Sequence, residues 1–180
     1  MNFPNHAQKA TQAVARLIEK TGGPVEYLRL SKLVYLADRQ SILERGVPIV
    51  GGQYFSMRKG PVISEVLNFV NRRNAPQWKD TISPRHGNDI KLQGKPSYSS
   101  LSQSELNILD AVVLEHSERP TNDLVGWCHD NCPEYQKVLG SGRKPIEVES
   151  ILDGAKRSKD QIKKVIQCAE EIEEMDALLA

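Results

Sequence analysis

Apolar residues recur at helical spacing in the first part of the chain and predict three helices. The first spans about 6–20 and is followed by a Gly-Gly-Pro run, which ends helices. The second spans about 25–45, and its apolar arc is wide enough to be contacted on more than one side, so we expect it to be central. Gly60 and Pro61 predict the start of a third helix, ending near Asn71, because proline suits the first helical position.

Helices also dominate the second half of the chain. Their predicted starts carry either a capping box, in which two polar side chains satisfy the first free N–H groups, or a proline at the first helical position. These starts are the capping box Ser102–Glu105, Pro120, Pro145 and the capping box Ser158–Gln161. The helix that begins at Pro145 is expected to end at Gly154, and the last helix continues towards the C-terminus.

Short extended segments interrupt this helical pattern. Residues 47–50 and 53–57 flank two glycines and predict two short strands joined by a turn. The polar middle, 72–100, is expected to form either a surface hairpin, with 81–83 and 89–92 as candidate strands, or a mobile insertion. The predicted fold class is therefore α+β, mostly α: a compact multi-helix domain with one or two small β-hairpin elements.

Composition indicates a globular protein with a core of its own. The 180 residues are 39% hydrophobic and 26% charged, with a formal net charge of +1, a balance typical of folded domains. No apolar run approaches the ~20 residues of a membrane span, and the N-terminus lacks the apolar core of a secretory signal. Three cysteines fit reduced thiols better than a disulfide framework. We therefore expect a cytoplasmic protein with no membrane segment.

Candidate catalytic and metal-binding groups are few. Cys128, His129 and Cys132 could supply soft ligands to zinc, and either thiol could act as a nucleophile. However, no fourth ligand follows at zinc-site spacing, and Cys128 lies on an apolar helix stripe. Asp38 and Glu44 are expected on the exposed side of the second helix as surface charge. The phosphate-binding glycine motifs are absent, so we predict no catalytic residue, no cofactor and no metal.

Charge along the chain leaves nucleic-acid binding open as an alternative. Basic residues cluster near the last two helices, but acidic residues interleave with them and weaken the field. The cluster comprises Arg143, Lys144, Lys156, Arg157, Lys159, Lys163 and Lys164. The last twelve residues, 169–180, carry five acids and no base. A DNA-binding or transcriptional regulatory protein is thus the alternative function, although a net charge of +1 argues against nucleic acid as a partner.

A series of short motifs, in order, resembles the Panacea domain of the SocA-like antitoxin family, which includes phage-associated GepA-like proteins. The series spans about 13–138. It comprises Lys32-Leu33-Val34-Tyr35-Leu36-Ala37-Asp38, Gly46-Val47-Pro48-Ile49, Gly52-Gln53-Tyr54, Gly60-Pro61-Val62, and His129 with Pro133 and Tyr135. On this resemblance, 1–180 is a single Panacea-like domain, and the last ~40 residues are a helical extension of it.

The resemblance implies an antitoxin and not an enzyme. Panacea domains neutralise a cognate toxin encoded beside them by direct protein binding, and SocA-like members can act as adaptors that deliver the toxin to the ClpXP protease. The motif residues are then expected to be structural, shaping the helix start or pinning the hairpin to the helices. They are Lys32, Tyr35, Asp38, Gly60, Pro61, His129 and Tyr135.

A partner-binding surface and a degradation signal complete the expectations. Aromatic and arginine side chains are typical binding anchors, so we expect the partner to contact an exposed rim that carries Arg39, Tyr54, Arg58 and Lys59. The apolar end of the chain, 176–180, is similar to tags that bacterial proteases recognise.

Overall fold

The protein is described by a computed structural model that covers residues 3–71, 78, 80–155 and 158–179, with the side chains of 169, 170 and 172–179 outside the description. Seven helices and five short strands lie within these residues. The helices are α1 Ala7–Thr21, α2 Tyr27–Arg45, α3 Ser64–Asn71, α4 Gln103–Glu115, α5 Thr121–Asn131, α6 Val148–Gly154 and α7 Lys159–Leu179. The strands are β1 Val25–Glu26, β2 Tyr54–Met57, β3 Gly60–Ile63, β4 Asp89–Ile90 and β5 Arg143–Ile146. The fold is α+β and mostly α, as predicted.

Helix α2 is the centre of the molecule. Every residue from Leu30 to Asp38 is buried, and the helix packs against α1, α4, α5, α6 and β3. A helix that is apolar on several sides can bury its surface only when neighbours surround it. It ends at Gly46, whose φ of 83° gives the left-handed turn that stops a helix. The expectation of a central second helix is confirmed.

A three-stranded antiparallel sheet in the order β3-β2-β5 lies beside α2. Two prolines that were expected to begin helices lie in its two edge strands instead: Pro61 in β3 and Pro145 in β5. Those two predictions were wrong, since α3 begins at Ser64 and α6 at Val148. Proline has no N–H to donate to a ladder, so an edge strand accepts it as readily as the first turn of a helix does.

The other predicted extended segments differ in their outcome. Residues 47–50 form bends and no strand. In the middle segment, Ile82 pairs with Leu92 through an isolated bridge, whereas β4 pairs with β1. Ile82 and Ile90 are each 1% exposed, so this part of 72–100 packs on the core and is more than a surface hairpin. Residues 72–77 and 79 lie outside the described residues.

Both predicted capping boxes are confirmed. The Ser102 hydroxyl accepts from the Glu105 N–H at 3.3 Å, and the Ser102 N–H donates to the Glu105 carboxylate at 2.8 Å. Ser158 and Gln161 exchange the same two bonds at the start of α7. Of the predicted basic cluster, Lys156 and Arg157 lie outside the described residues, as do Ala180 and the side chains of 176–179 in the proposed degradation signal.

No helix in the described part of the chain combines the length and the apolar character that crossing a bilayer requires.

Two leucines on α4 provide a matched test of the core. Leu109 is fully buried, whereas Leu114 is 76% exposed. We expect Leu109→Ala to lower the free energy of unfolding by about 2–5 kcal/mol, because the buried side chain leaves a cavity. Leu114→Ala is expected to change it by less than about 0.5 kcal/mol. Urea denaturation of both variants measures the difference, and equal losses would contradict the described packing of α4.

Candidate functional site

Four polar residues share one broad face of α2. Lys32, Tyr35 and Asp38 follow one another at intervals of three positions, and Arg39 lies four positions after Tyr35, spacings that keep side chains on the same side of a helix. Lys32, Tyr35 and Asp38 are each 0% exposed. Buried ionisable groups need partners, and each of these finds one on a segment outside α2. The face therefore positions the rest of the site.

Asp38 organises the segment that follows α2. Its Oδ1 accepts the N–H groups of Ile49 at 3.0 Å and Val50 at 2.8 Å. Its Oδ2 accepts the Gly51 N–H at 2.9 Å and the Tyr54 hydroxyl at 3.0 Å. Burial raises the pKa of Asp38 to about 6, although the four donors favour the carboxylate. The expectation that Asp38 lies in solvent was wrong, because these bonds replace the water that it loses.

Glu134 ties the segment after α5 to the same face of α2. Its Oε1 accepts from the Tyr35 hydroxyl at 2.6 Å and from the Arg39 Nε at 2.7 Å. Burial, with the Glu134 charge beside it, raises the pKa of Tyr35. The sequence reasoning missed Glu134. Two features of the sequence could have indicated Glu134. It is an acidic residue between two motif residues, Pro133 and Tyr135, and a carboxylate can accept the hydrogen bonds that Tyr35 and Arg39 donate.

Lys32 links α2 to the β2–β3 hairpin. Its ammonium donates to the Pro61 carbonyl at 2.8 Å, and burial lowers its pKa to about 8. Gly60 has a φ of 94°, and a Cβ at this position would lie 3.3 Å from Lys32 Cε and 3.5 Å from His129 Nε2. Glycine is therefore needed both for the turn and for the close approach of the hairpin to these two side chains.

His129 and Tyr135 join α5 to the sheet. Their rings stack with centroids 4.4 Å apart and an interplanar angle of 5°. The Tyr135 hydroxyl donates to the Met57 carbonyl at 3.2 Å, and the Gln136 N–H donates to the Ser56 hydroxyl at 3.0 Å. Burial, with the nearby Lys32 charge, lowers the pKa of His129. Its buried Nε2 has no hydrogen-bond partner within the described residues.

The structure changes the interpretation of the expected binding rim. Arg58 and Lys59 are exposed in the turn between β2 and β3. Tyr54 is 3% exposed. Its hydroxyl donates a hydrogen bond to Asp38, and its ring packs edge-on against the Tyr35 ring, with the two ring centroids 6.1 Å apart. The Arg39 side chain is 16% exposed and engaged with Glu134. Tyr54 and Arg39 therefore support the site from inside, and the rim placement expected for them was wrong.

Cys128 and Cys132 belong to the core. They are 0% and 1% exposed, and a hydrogen bond between the two thiols lowers the pKa of Cys128 and raises that of Cys132. The expected inward position of Cys128 is confirmed. Among the residues that the structure describes, no three His, Cys, Asp or Glu side chains converge to hold a metal ion.

Exposed bases occur in the turn between β2 and β3, in the loop after α5 and on β5, and we call this set the basic face. It comprises Arg58, Lys59, Lys137, Arg143 and Lys144. The strand register places Arg143 opposite Met57, next to the hairpin turn. An open cavity of about 690 Å³, here called the basic cleft, is lined in part by Arg58, Lys137, His129 and Tyr135. The arrangement suits the binding of an anionic group.

The comparison with protein families identifies the family of this chain. The family model for the antitoxin SocA-like, Panacea domain matches residues 30–135. The chain belongs to this family. No curated protein and no solved structure matches it.

The Panacea match covers the residues that build the site. It begins at Leu30, the first buried residue of α2, and ends at Tyr135. It therefore includes the polar framework, the name used below for the buried and half-buried polar side chains of the site. The polar framework comprises Lys32, Tyr35, Asp38, Arg39, Tyr54, His129, Glu134 and Tyr135. Lys137, Arg143 and Lys144 of the basic face lie beyond the match. Their position depends on the sheet and on the loop that the framework holds.

Removing the Asp38 carboxylate tests the framework. In Asp38→Ala, three backbone N–H groups and the Tyr54 hydroxyl lose their acceptor. We expect the free energy of unfolding to fall by about 3 kcal/mol or more, because each orphaned buried donor costs about 1–3 kcal/mol. Glu44→Ala is the control: this acid is on the same helix but exposed, and its loss should cost less than about 0.5 kcal/mol. Similar losses in the two variants, measured by urea denaturation, would argue against the described role of Asp38.

The burial of Lys32 predicts a dependence of stability on pH. Its pKa is lowered from 10.5 to about 8 in the folded chain. Between these values the unfolded chain holds a proton that the folded chain has released, so stability from this group rises with pH. The wild type should therefore gain about 2 kcal/mol relative to Lys32→Met between pH 8 and pH 9.5. Lys91→Met, at an exposed position, controls for the loss of one lysine. Parallel pH profiles for the wild type and Lys32→Met would contradict the prediction.

Proposed function

We propose that this protein is a cytoplasmic antitoxin that neutralises a cognate toxin by binding to it directly. The observation that carries the proposal is the family match over residues 30–135, which covers the polar framework. The framework fixes the hairpin turn and the loop after α5 before any partner arrives. A surface that is already ordered loses less conformational entropy on binding.

The state of the ionisable groups supports a binding role over a catalytic one. Asp38 accepts four hydrogen bonds, and Glu134 accepts from Tyr35 and Arg39. These carboxylates are buried and fully used in holding segments together. A general acid or base needs access to a substrate proton, which neither carboxylate has in this arrangement.

The exposed basic face is the surface that we assign to partner contact. We assign Arg58 and Lys59 to partner contact, and their exposure in the turn between β2 and β3 supports this assignment. Arg39 and Tyr54 act from inside by holding Glu134 and Asp38 in place. Long basic side chains on a rigid support are suited to contact with a protein of opposite charge.

Direct binding allows two routes to neutralisation. The protein can block the toxin by covering its active surface, or it can deliver the bound toxin to ClpXP for degradation. The two routes differ in their need for the protease. Growth rescue in a host that lacks ClpXP separates them, since blocking continues there and delivery stops.

Expression with the product of the neighbouring open reading frame tests the function. We expect the neighbour to arrest growth when expressed alone, and this chain to restore growth and co-purify with it. Leu114→Ala serves as a control that should rescue like the wild type, because the side chain is exposed. Asp38→Ala should rescue less, in proportion to its loss of folded protein. A harmless neighbour, or toxicity that the wild-type chain leaves unchanged, would refute the antitoxin function.

A further inference from the structure

We propose that the basic cleft binds an acidic peptide segment of the protein partner. This inference deepens the proposed function and rests on it for the partner's biological identity. It concerns a specific place in the fold, where the hairpin turn meets the loop after α5, and a specific ligand chemistry: carboxylates next to an apolar side chain.

Uncompensated charge is the first argument. Arg16 and Lys20 pair with Asp110, and Lys9 pairs with Glu105, whereas none of the five bases of the basic face forms an ion pair with a described residue. Two of these five, Arg58 and Lys137, line the same cleft. Two unpaired positive charges that line one cleft gain from an added anion. A ligand that carries several carboxylates supplies this compensation.

The side chains that line the cleft determine where the negative charge of a bound ligand would lie. Burial lowers the pKa of His129 and favours its neutral form, and the imidazole ring offers a flat surface stacked on Tyr135. The positive charge in the lining then comes from Arg58 and Lys137, while Asp130 contributes an acid. With about 690 Å³ of open volume, the cleft has room for one or two side chains of a bound peptide.

An exposed apolar side chain at the cleft favours a peptide over nucleic acid. Leu139 lines the cleft and is 82% exposed. An acidic peptide can place a leucine or another apolar residue against it and gain from the burial. A phosphate backbone offers charge without this apolar contact, and it needs a broader positive field than five bases in a chain of net charge +1 provide.

Contact through side chains fits the adjacent sheet edge. Strand β5 is an edge strand, but Pro145 within it has no N–H to offer to an added strand. Arg143 extends over the Phe55 ring, with its guanidinium carbon 4.4 Å from the ring centroid. Both features discourage pairing with a further strand. We therefore assign recognition to the cleft and its bases and not to strand addition.

The loop that forms one wall is held in place without ligand. Tyr135 and Gln136 bond to Met57 and Ser56 of β2, which fixes the start of the loop against the hairpin. Binding then requires little rearrangement of the backbone, and changes on binding should stay close to the cleft.

A titration of the full-length, ¹⁵N-labelled chain with a defined peptide tests the proposal. The probe is acetyl-Glu-Asp-Leu-Glu-Asp-amide, and the matched neutral peptide is acetyl-Gln-Asn-Leu-Gln-Asn-amide. We expect saturable shifts of the amide signals of 58–60 and 129–140, and an affinity for the neutral peptide at least tenfold weaker. Raising the salt concentration should weaken binding of the acidic peptide, since exposed charges are screened.

Matched charge reversals locate the site. Arg58→Glu with Lys137→Glu should weaken peptide binding at least tenfold. Lys91→Glu with Lys95→Glu changes the net charge equally at exposed positions outside the cleft and should stay within twofold of the wild type. Leu139→Ser, which alters an exposed side chain without changing charge, should weaken binding measurably. Circular dichroism checks that each variant is folded.

Three outcomes would overturn the proposal: no saturable shift near the cleft, equal effects of the two charge-reversal pairs, or displacement of the peptide by a 20-base-pair DNA duplex that binds the cleft more tightly.

The proposed function is tested independently of the cleft. If the wild type binds the peptide through Arg58 and Lys137 but does not rescue growth, the cleft stands and the antitoxin role falls. If rescue succeeds and the peptide does not bind, the cleft assignment alone falls.

Discussion

The burial of ionisable side chains along one face of α2 is the constraint on which the rest of the structure depends. Lys32, Tyr35 and Asp38 lie inside the protein, where a polar group without a partner is costly. Each of them is satisfied by a segment outside the helix: the hairpin, the loop after α5 or the turn after α2. The central helix thereby holds three irregular segments in fixed positions.

This arrangement explains how a small sheet can present a defined surface. A three-stranded sheet whose strands have only four residues each has little stability of its own. Here Lys32 holds β3 from below, while Tyr135 and Gln136 hold β2 from the side. These bonds fix the hairpin turn and the loop after α5 against the rest of the fold. The bases and the leucine that they carry can meet a partner from a rigid platform.

Much of the fold was predictable, because helices depend on local signals. The central position of α2 and both capping boxes were confirmed. The errors concern residues that are compatible with two different local structures or environments. Pro61 and Pro145 suit a helix start and an edge strand equally, and only the neighbouring strand β2 decides between them. Asp38, Arg39 and Tyr54 were misplaced because a polar side chain is buried or exposed according to the partners that the fold supplies.

The sequence by itself determined the helical framework and, through its ordered motifs, the family. Both follow from residues close together in the chain, whose spacing and chemistry can be read directly. Only the tertiary structure decided which of those residues are buried supports, that Glu134 receives Tyr35 and Arg39, and that Arg58 and Lys137 line one cleft. These relations join positions about 80 to 100 residues apart, and no local pattern encodes such a pairing because it arises from packing.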